Sequence, residues 1–583
     1  MDPGPAAPAD RPPPPPVVGI VEEFSRRLVR GWVVVGPQAP PTRVDLYVDD
    51  LLLASTYATP DAPMSGSDSV LRGGRSAEGD GQDAAALVHA WQAPPVPGPP
   101  DDRRNSGRQI RTFSFRFRGV WRYLSKKTAV SVQVGAHRLP INGHGMYLTP
   151  PRRGQQSMAE LRRLMSTGHV LSQDGRIQLS KTLDTAWQAQ VMELYGRLRT
   201  VFADDFGHDL FFIYGTLLGA VREGGFIGHD IDMDAAYVSG ERSGPAAARE
   251  LVAIALRLIE LGYEVECHAT ALHVTDPKQP GERLDIFHTW FDTGGVLRFP
   301  WGVAGTSVVT EAAWAGTREI DFPPGRGLVP VPAESVVECL YGADWRRPKP
   351  GFSWVLARTD AAVEGEVAEA ERTKVYWANF YAHHSYTSGS SFFEFVDARQ
   401  DTPSTVVDIG CGDGRDALAF GGAGRRVLGL DQSPVGIEHA AARAAKAHLE
   451  DTVSFRECDV ADTAALGEAL QHAVDPADGP VLYYLRFFLH AIDESTQRGL
   501  LDAIGTHARP GDSFAAEFRT DKDEPNTKVH RGHYRRYQNA DVLLDDLRAR
   551  GWEVSHQEEG TGLSPYGEED PVLCRVVALR PRG

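Results

Sequence analysis

The chain has 583 residues, 42% of them hydrophobic and 24% charged, a balance of globular rather than disordered or fibrous protein. At roughly 100–200 residues per domain there is room for about three domains. A formal net charge of −17 argues against a nucleic-acid or anionic-membrane surface covering the molecule. The five cysteines, Cys267, Cys339, Cys411, Cys458 and Cys574, include no C-x-x-C pair, which excludes a zinc knuckle and a disulfide framework and fits a reducing compartment. The sequence opens Met1-Asp-Pro-Gly-Pro, with neither a basic segment nor an apolar one after it, and no window reaches about 18 apolar residues, so a cytoplasmic protein without a membrane span is expected.

Residues 1–16 are proline-rich and are expected to be disordered. From Val17 the texture is strand-like: residues 30–35 form an apolar run, 44–49 alternate with period two, and 51–58 follow an Asp49-Asp50 turn as the second arm of a hairpin. Residues 60–109, rich in Gly, Pro, Ser and Asp, read as a long flexible insertion. Strand texture resumes at 113–118 and 129–134. About six short strands over residues 17–150 predict an accessory β-sandwich. Its Trp32, Tyr47 and Trp121 read either as core or as sugar-stacking faces.

Residues 158–206 are largely helical, with apolar residues at helical spacing over 182–202, and they lead into a short apolar strand at 210–213. Gly215-Thr216 breaks that run, and 217–222 has the composition of one or two helical turns. Glycines at 224, 225 and 228 turn the chain, and 231–238 returns as a second strand. On such a strand the carboxylates of Asp232 and Asp234, two apart, point to one face. Two carboxylates that close repel each other unless a cation lies between them, and a hard ion such as magnesium or manganese prefers oxygen ligands. Gly215 and Thr216 beside the pair would let backbone N–H groups approach a phosphate chain. Arg222 is a candidate for phosphate neutralisation, and an intradomain salt bridge explains it as well. After a helix at 246–261 and two strand-like runs within 263–274, Asp285 lies in the apolar run Leu284-Asp-Ile-Phe287, a costly position unless it faces a site.

The stretch from Tyr214 to Asp234 resembles the LicD family, a branch of the polymerase-β-like nucleotidyltransferase fold that includes fukutin-type proteins. Members typically read G-T-L-L-G-A-x-R and then W-D-D-D-I-D. Here residues 215–222 match closely, His229 stands for the Trp and Ile231 for the middle acid, while Asp230, Asp232 and Asp234 are in place. Tyr341-Gly-Ala-Asp-Trp345 and Pro348 match the closing motif, so the resemblance covers about 175–360 of a domain expected at 158–360. It implies an α+β nucleotidyltransferase-like fold with Mg2+ or Mn2+ on Asp232 and Asp234. Asp285 would complete the cluster or act as base, and Gly215, Thr216 and Arg222 would face the substrate. The implied reaction moves a phosphorylated alcohol from a CDP-activated donor to a hydroxyl of a glycan or lipid-linked glycan. A small-molecule nucleotidyltransferase and an inactive scaffold for glycan assembly are the alternatives.

Residues 361–374, charged and alanine-rich, read as a connecting helix, and the aromatic-rich 376–395 opens a last domain over 361–583. Val406-Val-Asp-Ile-Gly-Cys-Gly-Asp-Gly414 is an apolar strand that enters a glycine-rich turn and then a helix over 416–420. Such glycines let a backbone approach a ligand and start a helix whose N-terminus faces it. The next strand, 426–430, ends at Asp431, where an acid is placed to hold a ribose diol. A further strand at 453–459 ends in Asp459, and 480–485 is apolar again.

The D-I-G-C-G-D-G form with acids at the next two strand ends resembles class I S-adenosylmethionine methyltransferases over about 373–581. The resemblance implies a Rossmann-like α/β fold, with Asp408 and Gly410 near the methionine portion, Gly412 and Gly414 completing the loop, Asp431 on the ribose and Asp459 near the adenine. NAD binding is the runner-up, and the loop lacks the G-x-G-x-x-G spacing. On the acceptor side His490 is a candidate general base or a local hydrogen-bonding group, and Arg486 binds substrate or pairs with an acid. The cluster His530-Arg-Gly-His-Tyr-Arg-Arg-Tyr537 offers His533, Arg535 and Arg536 to a phosphate-bearing acceptor, or is a solvated basic loop. The chain as a whole reads as a multidomain, bifunctional enzyme of glycopolymer decoration.

Overall fold

The structure, a computed structural model, describes residues 18–36, 39–60, 109–279, 281–348, 364–384, 386–399, 401–526, 528, 534–567 and 569–582. The proline-rich tail and all but the ends of the expected insertion lie outside the described residues. The chain divides into two compact units, Met1–Ala236 with Gly295–Thr359, and Tyr237–Gly294 with Asp360–Gly583. Elements are numbered along the chain.

In the first unit, alternation of apolar and polar residues builds seven antiparallel strands, one more than expected: β1 (Val18–Phe24), β2 (Leu28–Val35), β3 (Thr42–Val48), β4 (Leu51–Pro60), β5 (Gln109–Arg116), β6 (Val130–Val134) and β7 (His137–Arg138). They pair in the order β1-β2-β5-β4-β3-β6-β7. β4 and β5 meet at only two residue pairs, Thr59–Thr112 and Pro60–Arg111, so the strands fall into two groups. Val29, Val33, Phe113 and Phe115 from one group and Val44, Leu46, Val130 and Val132 from the other bury into a single core. Trp121 packs on that core, edge-on to Phe117 at 5.2 Å, and its indole N–H donates to the Arg26 carbonyl at 3.0 Å.

The stretch expected to be one helical region is broken in two. α1 (Met158–Ser166) is followed by a hairpin of β8 (His169–Leu171) and β9 (Ile177–Leu179), and then by α2 (Thr185–Phe206). Asp184 caps α2 by accepting from the Trp187 amide at 3.2 Å, and Gly207, at φ 69°, ends it. β10 (Phe211–Phe212), α3 (Tyr214–Arg222) and the start of β11 (Asp234–Ser239) follow, and β10 pairs with β11 through Phe211–Ala236 and Phe212–Ala235. The unit is completed by β15 (Leu297–Arg298), the hairpin β16 (Thr317–Phe322) and β17 (Gly325–Pro330), and α5 (Ala333–Tyr341).

The second unit opens with α4 (Gly244–Glu260), whose apolar stripe packs on β12 (Glu264–Cys267) and β14 (Arg283–Phe291). β13 (Ala271–Thr275) pairs antiparallel with both. α6 (Glu369–His383) packs against α4 and β12. Asn379 accepts from the Val265 amide at 2.8 Å, and the Val367 amide donates to the Ala269 carbonyl at 2.7 Å. Residues 364–383 therefore tie these strands to the rest of the unit.

That rest is α/β. After α7 (Ser391–Asp397) come β18 (Thr405–Ile409), α8 (Arg415–Gly422), β19 (Arg426–Asp431), α9 (Pro434–Lys446), β20 (Val453–Glu457), α10 (Thr463–Val474), β21 (Val481–Arg486), α11 (Glu494–His507), β22 (Ser513–Arg519), α12 (Ala540–Ala549), β23 (Glu553–Gly560) and β24 (Leu573–Leu579). The sheet runs β20-β19-β18-β21-β22-β24-β23; the first five strands are parallel, β24 runs antiparallel to them, and β23, antiparallel to β24, runs with the five. All five residues of β18 are buried, as a strand covered on both faces requires. The chain winds outward from β18 in one direction through β19 and β20 and in the other through β21 and β22. The crevice between β18 and β21 is thus a topological switch point.

Candidate functional site

β18 delivers the chain to Gly410, Gly412 and Gly414, whose φ angles of 78°, 58° and 77° are strained for any residue with a Cβ. A Cβ on Gly410 would lie 2.2 Å from the Phe488 ring, and one on Gly412 would lie 2.5 Å from the Tyr381 ring. The loop is held by the neighbouring strand tip. Asp431 accepts from the Gly412 amide at 2.9 Å and from the Ser433 amide at 2.8 Å. Burial pushes the Asp431 carboxyl up to about 6, and the two amides act in the opposite sense by favouring the carboxylate.

A cavity of about 440 Å³ opens at these strand ends, inside the ~300–1,000 Å³ range of small-molecule sites. Asp408, Gly410 and Asp431 line it, and α6 walls it with Tyr376, Trp377, Phe380 and Tyr381. Burial, then the charges of Asp416 and Asp431, pushes the Asp408 carboxyl well up. Phe487 and Phe488 also line it. Phe487 sits at φ 53°, which costs a non-glycine residue on the order of 1–3 kcal/mol, and its amide is held by the Glu517 carbonyl at 2.8 Å.

Residues 406–511 match the methyltransferase domain family. This part of the chain is an S-adenosylmethionine-dependent methyltransferase domain. Solved structures similar to the chain include the glycopeptide N-methyltransferase MtfA complexed with sinefungin, at 18% identity over 35% of this chain and 91% of that one, TM-score 0.27. Another comes from work on the conversion of a disulfide bond into a thioacetal group during echinomycin biosynthesis, at 20% identity over 33% of this chain and 82% of that one, TM-score 0.27. A third is magnesium protoporphyrin IX methyltransferase (ChlM) from Synechocystis PCC 6803, at 14% identity over 33% and 76%, TM-score 0.24.

The methyltransferase domain places the other expected residues unevenly. Asp459 is exposed, accepts from the Ala461 amide at 2.9 Å and does not line the cavity. A Cβ on Gly414 would lie 2.9 Å from Ala440 and from the Phe455 ring, and Gly414 is not among the residues that line the cavity. Arg486 lines the cavity but is committed to acids, 3.5 Å from Glu517 and 3.8 Å from Asp416. Asp416 also accepts from Ser390 and from the Tyr484 hydroxyl at 2.7 Å. His490 is buried at the cavity wall, and its Nδ1 accepts from the Arg519 amide at 3.3 Å. In the neutral ring the proton therefore sits on Nε2, which makes that nitrogen a donor. Arg535 lines the cavity. Arg536 does not; its guanidinium reaches Gln497 and Gln538. His533 lies outside the described residues. Sequence reasoning misses the α6 aromatics as cavity residues, although their i, i+1, i+4, i+5 spacing marks one side of a helix.

In the first unit the acids gather at the N-terminus of α3. That helix starts at Tyr214, so Gly215 and Thr216 lie in its first turn, not in the expected break; β11 starts at Asp234, so Asp232 precedes the strand. Asp232 and Asp234 still offer carboxylate oxygens within 4.8 Å of each other. The Gly215 amide donates to Asp234 Oδ2 at 3.1 Å, an acid on the positive end of a helix. A Cβ on Gly215 would lie 2.5 Å from Asp230 Oδ2, so glycine is what lets this acid approach. Burial, then the Asp232 charge, drives the Asp230 carboxyl well above its ordinary range. The buried Tyr341 hydroxyl is raised by burial and then by Asp234 and Asp230, which puts the closing motif beside the acids. Such a donor set suits a hard divalent cation.

Two expected substrate contacts are otherwise engaged. Thr216, 3% exposed, uses its hydroxyl to accept from the Asp234 amide at 2.8 Å, which fixes the start of β11. Arg222 pairs with Glu223 at 2.7 Å and donates to the Trp345 carbonyl at 3.3 Å. Burial, then Arg222, pushes His229 down to about 4. Asp285 lies in the second unit on β14, buried, where Arg283 holds it at 2.9 Å and His273 Nε2 lies 3.4 Å away.

Proposed function

We propose that the chain is a bifunctional enzyme of glycopolymer decoration, in which a LicD-like centre transfers a phosphorylated alcohol and the methyltransferase domain methylates a glycan or phospho-glycan acceptor. The seven strands at the N-terminus then serve as a two-layer β-sandwich accessory domain, and the reactions take place in the cytoplasm. The observation that carries the phosphotransfer reading is the Asp232–Asp234 pair set against the amide end of α3.

At that centre Asp232 and Asp234 would hold magnesium or manganese against the donor's diphosphate. The bound ion supplies charge stabilisation for the transferring phosphoryl group. Gly215 keeps the acids close, and the helix end favours the negative charge. Arg222 acts here as a positioning residue through Trp345.

At the second centre S-adenosylmethionine, when bound, supplies an electrophilic methyl group. Asp431 would hold the ribose hydroxyls with the lone pairs that Gly412 and Ser433 leave over. The α6 aromatics exclude water from the reacting atoms. His490 Nε2–H would orient the acceptor oxygen, and a base role there would require Nδ1 to give up the Arg519 amide.

The full chain incubated with CDP-linked alcohols or with ATP, plus S-adenosylmethionine and a glycan acceptor, tests both parts by product mass. Phospho-alcohol addition with CDP donors alone supports the reading; adenylation with ATP replaces it with a nucleotidyltransferase.

A further inference from the structure

We propose that Glu266, His268 and His273 form a transition-metal site on the β12–β13 hairpin, with zinc as the ion that fits it. Glu266 and His273 are directly opposite each other in the ladder, so their side chains leave the sheet on the same face, while Cys267 alternates to the other. His268 follows at the turn, where its amide donates to the Ala271 carbonyl at 2.8 Å. The two imidazole rings lie 4.0 Å apart between centroids, and His268 Nε2 is 3.7 Å from Glu266 Oε2. One ligand atom from each of the three residues lies within 4.8 Å of the others.

The next strand adds what a metal-bound histidine requires. Asp285 is the ladder partner of His273, and its Oδ2 lies 3.4 Å from His273 Nε2. Nδ1 of His273 is then the nitrogen left to ligate, which gives the carboxylate–histidine–metal relay that fixes tautomer and ring orientation. Two nitrogens and one carboxylate oxygen select zinc over magnesium or calcium, which prefer all-oxygen sets. Tetrahedral bonds of about 2.0–2.2 Å place ligand atoms roughly 3.4 Å apart, so the three must close slightly. Glu266 and His268, 77% and 50% exposed, have the freedom to do so. Three protein ligands leave the fourth position to water. The ion would clamp the hairpin and orient His273 against Asp285, and its binding does not depend on the phosphotransfer reading.

The test uses the full, tag-free chain carrying Asp232→Asn and Asp234→Asn, so that the other acid pair takes no zinc. After stripping with EDTA and dialysis against micromolar zinc, metal content is read by mass spectrometry and Tm by calorimetry. The expected result is about one zinc per chain and a Tm rise. Both should be lost in His268→Ala and in Glu266→Ala, and Asp285→Asn should weaken affinity by about 10- to 100-fold. A chain that keeps no zinc above the dialysis buffer overturns the site, as does equal zinc in the Glu266→Ala, His268→Ala double variant. Unchanged affinity in Asp285→Asn removes the relay.

Discussion

The Gly412 amide donates to Asp431 Oδ2 at 2.9 Å, so the loop that ends β18 is held by the acid that ends β19. One carboxylate thereby shapes the glycine loop and, in the proposed complex, receives the ribose. Asp431→Ala would leave the Gly412 and Ser433 amides buried without partners, at about 1–3 kcal/mol each. S-adenosylmethionine affinity measured by calorimetry on the full chain is expected to fall by at least about tenfold. Unchanged affinity would show that Asp431 only packs.

Arg535 and Arg536 separate by position. Arg535 faces the cavity, whereas Arg536 is spent on Gln497 and Gln538. Arg535→Ala should raise KM for an anionic methyl acceptor and leave cofactor binding alone. Arg536→Ala should lower Tm with little change in KM. The reverse pattern would assign acceptor binding to the other arginine.

Phosphotransfer should respond to Gly215→Ala almost as strongly as to Asp232→Asn or Asp234→Asn, because the new methyl would meet Asp230 Oδ2 at 2.5 Å. Each variant is expected to lose phosphotransfer by orders of magnitude and to keep methyl transfer. Equal loss of both activities would mean the acids are structural.

His288 is fully buried, with Nε2 2.8 Å from the Gly365 carbonyl, and burial pushes it down from 6.5 to about 4. Between those values the unfolded chain binds more protons than the folded one. The stability this group confers is complete above about pH 6.5 and is lost as pH falls towards 4, by up to ~3 kcal/mol. Urea denaturation across that window should show His288→Gln flattening the acid side of the curve. A parallel curve would place the acid lability elsewhere.

α6 serves two neighbours within the second unit, which sets the outcome of truncation. A fragment of residues 364–583 keeps the aromatic wall but strips α4 and β12 from α6. It should melt several degrees below the full chain's corresponding transition and be raised by S-adenosylmethionine. Calorimetry decides this: an unshifted transition would mean that α4 and β12 contribute nothing to the domain.

The methyltransferase domain was legible in the sequence because its information is local. The apolar run into Gly410, Gly412 and Gly414 and the acid at the end of the next strand specify backbone geometry residue by residue. The strands at 405–409, 426–431, 453–457 and 481–486 accordingly fall where period and turn chemistry put them. The acids at 230–234 were legible as a cluster for the same reason, though not the start of their strand. What tertiary structure alone decided is the state of each polar side chain. Whether Arg486 meets a ligand or Glu517, whether Thr216 faces substrate or the Asp234 amide, and which nitrogen of His490 holds its proton depend on partners 18 to 31 positions away along the chain. A buried charge or hydroxyl takes whichever partner the fold brings within hydrogen-bond reach, and sequence spacing carries no record of that distance.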